Sequence, residues 1–378
     1  MKRLVSVFAA LSVLAASACT DDDDEPSTTA APTTVTVSAT TVPATTAPAT
    51  SVPPTTTAAP TTGPPTTLPP PTNPADAAPR PSAGCGTSPA SAVEWQRNEL
   101  SVRGAERWYL LTVPESHDGE TPMPLVLDFH GFSEGAQIHT MMSEMAPAAA
   151  QRGFVVALPN GTQEPVRWDT GVDPAANDDL AYVIELLDRL ERDLCIDTSR
   201  VYATGLSNGA FMSSAIACAL TDRVAAVAPV AGATVACETL DRPMPVYAIH
   251  GTADPILLFN GGVDASRLPG GDAQAPPNTL PPVDLTGPGY PQAMVDWAAR
   301  NGCDESYEDR RMAEDVIRRV WDCPAGADTE FVIVEGGGHS WPGSEFSSQI
   351  ESIIGPTTES FAATDTMWDF FERFTVPE

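Results

Sequence analysis

Lysine is all but missing from this chain of 378 residues: Lys2 is the only one. Once a leader is removed, no lysine is left to form a Schiff base or to clamp a phosphate. Cationic residues are scarce altogether, 20 Lys and Arg against 50 Asp and Glu, and the net charge is −30. So acidic a chain repels nucleic acid and anionic bilayers, and neither is expected as a partner. A P-loop and a dinucleotide fingerprint are missing too, since Gly336-Gly337-Gly338 does not open a helix. No Cys-x-x-Cys pair occurs, which removes a common zinc signature. No cofactor and no metal are therefore expected. The apolar stretch 4–16 is too short to cross a bilayer comfortably.

That stretch suits export. Lys2 and Arg3 precede it and Ala16-Ser17-Ala18 is a small-residue cleavage site, so residues 1–18 read as a signal peptide. Cleavage there either releases the protein or, as in a bacterial lipoprotein, leaves Cys19 as the lipidated first residue. Ala16 is smaller than the residue usual in the second kind of signal, but a lone cysteine at the cleavage point favours it. Any membrane attachment would then run through Cys19, with the protein extracellular or at the cell surface. Residues 19–83 begin with Asp21 to Asp24 and Glu25 and continue in Thr, Pro and Ala. Such a composition cannot bury a core and reads as a disordered, solvated stalk, with or without sugar on its threonines. Setting Cys19 aside leaves Cys85, Cys195, Cys218, Cys237, Cys303 and Cys323. An even number in an exported domain points to disulfides. Short loops favour Cys303 with Cys323 and Cys218 with Cys237, leaving Cys85 for Cys195.

Residues 84–378 suffice for one α/β domain with a large core. Strands are expected over 107–113, 124–129, 154–158, 200–204, 224–229, 245–250 and 330–334, and helices over 136–152, 177–193, 209–220, 291–301 and 360–374. The alternation is that of a doubly wound, mostly parallel sheet flanked by helices. In the second helix Leu180, Val183, Ile184, Leu187 and Leu190 share one face, and Asn177 and Asp178 suit its start. Between Leu257 and Tyr290 the chain turns to Gly, Pro and Asp without periodicity, as a long functional loop does. It is expected to border the substrate cleft.

The chemistry concentrates in Gly205-Leu206-Ser207-Asn208-Gly209, which a strand pattern precedes and an Ala-rich helical pattern follows. That order is a nucleophile elbow, whose glycines permit a turn tight enough to lift a serine hydroxyl above the sheet. A serine needs a base and an acid to orient it, in the chain order Ser, Asp or Glu, His. Only His250 and His339 follow Ser207. His250 lies inside a strand end and reads as structural. His339 sits in a glycine-rich loop after a strand and reads as the base. Asp254, just past the end of the 245–250 strand, is the acid, with Asp264 and Asp284 as fallbacks. Backbone N–H groups of Asn208 and Phe132 are the expected oxyanion donors, the second from the loop after His130-Gly131. His130 itself reads as scaffold. Trp168 and Trp341 are candidates either for the pocket wall or for core packing.

Four segments together carry a resemblance: His130-Gly131, the Gly205–Gly209 elbow, His250-Gly251-Thr252-Ala253-Asp254-Pro255 and Gly336-Gly337-Gly338-His339-Ser340-Trp341-Pro342-Gly343. They resemble the polyhydroxybutyrate depolymerase-like esterases, a group overlapping the feruloyl and acetylxylan esterases of carbohydrate esterase family one. The resemblance implies an α/β-hydrolase fold and a secreted or surface-attached serine esterase without cofactor. It also implies a triad of Ser207, Asp254 and His339, acting on a polyhydroxyalkanoate, feruloyl or acetyl ester, possibly on a polymer or polysaccharide. Phe132-Ser133-Glu134-Gly135 departs from the small residues usual after the family's His-Gly. Two other readings stand beside it: a non-catalytic envelope protein that binds polysaccharide on a hydrolase fold, and a serine peptidase.

Overall fold

The middle strands are apolar from end to end. Met123–Phe129 reads Met-Pro-Leu-Val-Leu-Asp-Phe with every residue buried, as in a sheet covered on both faces. The computed structural model describes residues 77–86, 92–268 and 280–377. Its elements run β1 (Val93–Val102), β2 (Ala105–Val113), β3 (Met123–Phe129), α1 (Ala136–Ser143), α2 (Met145–Arg152), β4 (Val155–Pro159), α3 (Asp178–Asp193), β5 (Ile196–Leu206) and α4 (Asn208–Ala219). They continue with β6 (Ala226–Val230), β7 (Val246–Gly251), α5 (Tyr290–Arg300), β8 (Tyr307–Ala313), β9 (Val316–Trp321), β10 (Thr329–Val334), α6 (Glu345–Gln349), α7 (Glu351–Ile354) and α8 (Ala363–Phe371). The strands form a single mixed sheet in the order β1-β2-β4-β3-β5-β6-β7-β10-β9-β8. From β4 to β10 all pairings are parallel, and antiparallel strands extend both edges. This is the α/β-hydrolase class of fold.

Alternate residues of β3 divide the core in two. Leu125, Leu127 and Phe129 pack with Leu180, Val183, Leu187 and Leu190 of α3, Met212 and Ile216 of α4, and Trp297 of α5. Val126 faces the other way, with Met142 of α1, Met145 of α2, and Met367, Trp368 and Phe371 of α8. From β3 the chain moves to β4 on one side, and from β5 it moves to β6 on the other. The carboxyl ends of β3 and β5 therefore form a topological switch point, where sheets of this kind open a crevice.

α3 starts where its cap requires: Asn177 Oδ1 accepts the N–H groups of Asp179 and Leu180 at 2.9 and 3.1 Å. Asp178 instead pairs at the surface with Arg103. The helix is fixed to β2 by a buried ion pair, Arg107 Nη2 to Asp179 Oδ1 at 2.6 Å, with the guanidinium 4.1 Å over the Tyr182 ring. The cysteines pair Cys85–Cys195, Cys218–Cys237 and Cys303–Cys323, the pairs that loop length favours.

Several expectations need correction. The helix expected over 136–152 is two, broken at Glu144, whose φ is 52°. Pro147 explains the break, because in one continuous helix it would remove a backbone bond and clash with the preceding turn. The hairpin of β8 and β9 was not expected, since β8 is polar and mostly exposed. It is held by cross-strand chemistry instead: Arg319 binds both oxygens of Asp309 at 2.8 and 2.9 Å and lies 3.9 Å over Tyr307. β1, also unforeseen, is an edge strand with polar alternate residues. The fold also begins before residue 84. Arg80 N–H donates to Asp197, and Ser82 Oγ donates to Leu194 O and accepts from Ile196 N–H, so this end of the expected stalk is hydrogen-bonded to the sheet. The signal peptide, Cys19 and the stalk up to residue 76 lie outside the described residues, as do residues 269–279 of the long loop.

Breaking the Arg107–Asp179 pair strands a buried charge. Arg107→Ala is expected to cost about 3–5 kcal/mol in urea unfolding, whereas Arg310→Ala at the exposed Glu308 pair should leave the unfolding midpoint essentially unchanged. Equal losses would show that the buried pair does not anchor α3.

Candidate active site

The turn between β5 and α4 is crowded by the end of β3. A Cβ on Gly205 would stand 2.5 Å from Phe129 O, and one on Gly209 only 1.9 Å from the same oxygen. Glycine at both positions lets the turn close. Ser207, between them, takes φ 58° and ψ −116°, a strained backbone for a residue with a side chain. Its N–H donates to Val230 O at 2.9 Å, tying the elbow to β6. Ser207 precedes the first residue of α4 but does not cap it with its side chain. The hydroxyl has no hydrogen-bond partner among the described residues, and the residue is 8% exposed. The Asn208 N–H lies at the positive end of α4.

Asp254 and His339 meet at the carboxyl edge of the same sheet. Asp254 follows β7 and His339 follows β10, neighbouring parallel strands in register from Thr329–Val246 to Val334–Gly251. His339 Nδ1–H donates to Asp254 Oδ2 at 2.7 Å. The other carboxylate oxygen accepts the N–H groups of Ile256 and Leu257, each at 2.8 Å. Burial alone would raise the Asp254 carboxyl, but His339 and these donors hold it below the usual carboxylate range. The His339 loop is as tight as the elbow: a Cβ on Gly338 would lie 2.3 Å from Ile354 O, and His339 N–H donates to that oxygen at 2.6 Å. No hydrogen bond joins Ser207 Oγ to His339 Nε2 in this structure.

His250 and His130 are held by backbone partners, although His250 Nδ1 has none among the described residues. His250 Nε2–H donates to Leu257 O at 2.9 Å and lies 3.3 Å from Asp254 Oδ2, with its ring stacked 3.7 Å from Tyr290. Burial lowers it to about 4, so it is neutral at pH 7 and bonds the loop that Asp254 caps. His130 donates from Nδ1 to Gly131 O and accepts at Nε2 from Gly161 N–H; burial lowers it, too, to about 4. Asp264 and Asp284, the fallback acids, are instead turn caps, accepting from Ser266 and Thr286.

The tryptophans belong to the core. Trp168 is 3% exposed and packs edge-on to Phe129; its Nε1–H donates to His130 O, and its backbone exchanges hydrogen bonds with the Asn208 side chain. Trp341 is 1% exposed, with Nε1–H donating to Thr364. Of the two roles open to them, both pack in the core, each with a polar edge that finds its partner inside the protein, and Trp341 also lines a small cavity of ≈ 140 Å³ beside Met142 and Pro342. The Asn208 bridge to Trp168 was missed, because nothing in the sequence links positions 40 apart. A cavity of ≈ 400 Å³ opens beside Asp254, lined by Ala253, Pro255, Arg267, Leu280, Ile353 and Gly355 among others, so the described parts of the long loop do border this end of the sheet. Among the described residues no group of three or more His, Cys, Asp or Glu side chains is arranged to hold a metal ion.

Neutral His130 and His250 carry a testable consequence. An unfolded histidine titrates near pH 6.5, and a folded value near 4 means that the unfolded chain binds the proton first. Stability is therefore expected to fall as pH drops from about 6.5 to about 4. His250→Asn should lessen that fall in urea midpoints at pH 7 and pH 4.5; an unchanged pH dependence would mean that His250 is not buried neutral.

Comparison with known proteins gives a consistent kinship. The family model described as Esterase PHB depolymerase matches residues 108–280, a stretch that holds Ser207 and Asp254 and stops short of His339. Feruloyl esterase B of Piromyces equi is 26% identical over 280 residues, covering 72% of this chain and 46% of that protein. A probable feruloyl esterase C of Aspergillus niger is 29% identical over 204 residues, covering 52% of this chain and 70% of that one. This chain thus spans less than half the length of the first. Among solved structures, an acetyl xylan esterase from Aspergillus awamori aligns with a TM-score of 0.47 and 14% identity, over 68% of this chain and 98% of that one. Residues 108–280 thus resemble esterases of the polyhydroxybutyrate depolymerase type, and the chain is similar in sequence to feruloyl esterases.

Proposed function

We propose that this protein hydrolyses carboxylic esters, with Ser207 as nucleophile, His339 as general base and acid, and Asp254 as the carboxylate that orients His339. The observation that carries the reading is the buried hydrogen bond from His339 Nδ1 to Asp254, at the same edge of the sheet as a strained elbow serine. With Nδ1 donating to Asp254, Nε2 is the nitrogen left to take a proton. The Ser207 hydroxyl, unpaired among the described residues, is the group that would meet Nε2; such contacts are often loose before substrate binds.

His339 then removes the proton of Ser207 as Oγ attacks the ester carbonyl. The N–H groups of Asn208 and Phe132, both without an acceptor among the described residues, receive the oxyanion. His339 returns the proton to the leaving alcohol, leaving an acyl group on Ser207, and the same steps with water release the acid. The kinship puts feruloyl esters and polyhydroxyalkanoates at the head of the substrate classes, with acetyl esters beside them. Three disulfides and the leader-like segment support export, with lipid attachment at Cys19 as the proposed anchor.

Hydrolysis of p-nitrophenyl acetate, p-nitrophenyl butyrate and methyl ferulate by the full chain tests the reading. Ser207→Ala should lower turnover by roughly 10⁴- to 10⁶-fold with the melting temperature unchanged. A variant keeping more than a few per cent of the activity would remove Ser207 from the mechanism.

A further inference from the structure

Behind the loop that carries Phe132 lies a chain of buried charges that the triad does not use. Glu134 Oε2 accepts the Gly131 N–H at 2.5 Å, and its Oε1 accepts from His139 Nδ1 at 3.0 Å. His139 Nε2 donates to Asp128 Oδ1 at 2.8 Å. Asp128 and His139 are fully buried and the Glu134 side chain is 10% exposed. Asp128 Oδ2 has no donor among the described residues. An orphaned carboxylate oxygen in the core is costly, so the Asp128 charge leans on His139.

Both ring nitrogens of His139 face acids, which fixes it as the imidazolium. Burial would lower it, but the charges of Asp128 and Glu134 prevail and raise it to about 10. The reciprocal effect reaches Glu134: burial pushes its carboxyl up, and His139 with the Gly131 N–H brings it below the ordinary value. The ring of His139 also meets Trp341 edge-on at 5.7 Å, two residues from His339.

We propose that Glu134 and His139, backed by Asp128, are positioning residues for the oxyanion site. Glu134 takes up the Gly131 N–H, fixing the turn that leaves the Phe132 N–H free beside Ser207, and His139 holds Glu134 in place. The turn has little freedom to do otherwise. Glu134 N–H closes back on Gly131 O at 3.3 Å, Ser133 N–H donates to Val166 O at 2.7 Å, and Gly131 stands against Ser207, where an added Cβ would lie 3.6 Å from the serine Cβ. The inference rests on the reading of Phe132 as an oxyanion donor.

The test compares Glu134→Ala with Glu134→Gln in the full chain. Glutamine still accepts the Gly131 N–H and donates to a neutral His139, so it keeps the geometry without the charge. Glu134→Ala should lower kcat on p-nitrophenyl butyrate by about 10²-fold with KM within about threefold, because a misplaced donor weakens transition-state binding alone. Glu134→Gln should recover most of that loss. Hydrogen exchange of the peptide spanning 130–135, read without substrate, should quicken in Glu134→Ala. If the alanine variant does not fold, Glu134→Asp replaces it, with the same charge one methylene short of Gly131 and a kcat loss of about tenfold or more. A kcat within about threefold of the parent in the variant that folds, or unaltered exchange, would overturn the proposal. Were the parent to hydrolyse no ester, the assignment of Ser207 would fall, and the exchange measurement would still decide whether Glu134 holds the loop.

Discussion

The approach of β3 to the turn between β5 and α4 is the constraint on which the candidate site depends. Phe129 O, at the end of β3, occupies the space where side chains on residues 205 and 209 would stand. Because both are glycine, the turn lies against the strand, and Ser207 is held at a positive φ next to Gly131. Strain of this kind persists only where the surroundings fix it. Here they do so from two sides: the Ser207 N–H bonds to β6, and the Asn208 side chain is bonded to the Trp168 backbone. The elbow serine is thus set by backbone packing, and the side chains of Asn208 and Glu134 tie down the turns on either side of it.

Electrostatics then sorts histidines that look alike in sequence. His130 and His250 are buried beside backbone partners and stay neutral, whereas His139, buried between two carboxylates, stays charged. His339 alone of the four combines a carboxylate on Nδ1 with an Nε2 that has no partner among the described residues. In His130, His250 and His139 burial supplies the desolvation, and the charges beside the ring decide the outcome.

The features that could be read from the sequence were those set by short-range sterics or by strong periodicity. The central strands, α3 with its Asn177 cap, and the elbow glycines are of this kind, and the pairing of six cysteines followed loop length. What stayed hidden depends on contacts distant along the chain. The hairpin of β8 and β9 has no apolar alternation and is held by Arg319 across the strands. The break at Glu144 was signalled only by Pro147. The partnership of Asp128, Glu134 and His139 joins a strand, a loop and a helix whose residues show no motif. For Trp168 and Trp341 the sequence left pocket wall and core packing open, because the groups that bury each ring come from distant segments.

Acyl trapping tests the central assignment most directly. The full chain would be mixed with p-nitrophenyl butyrate, quenched in acid within the first turnovers, and its peptides mapped by mass spectrometry. A butyryl group on the peptide that contains Ser207 is the expected result. Product release with no acyl group on that peptide, or with the group on another residue, would contradict an esterase that works through Ser207.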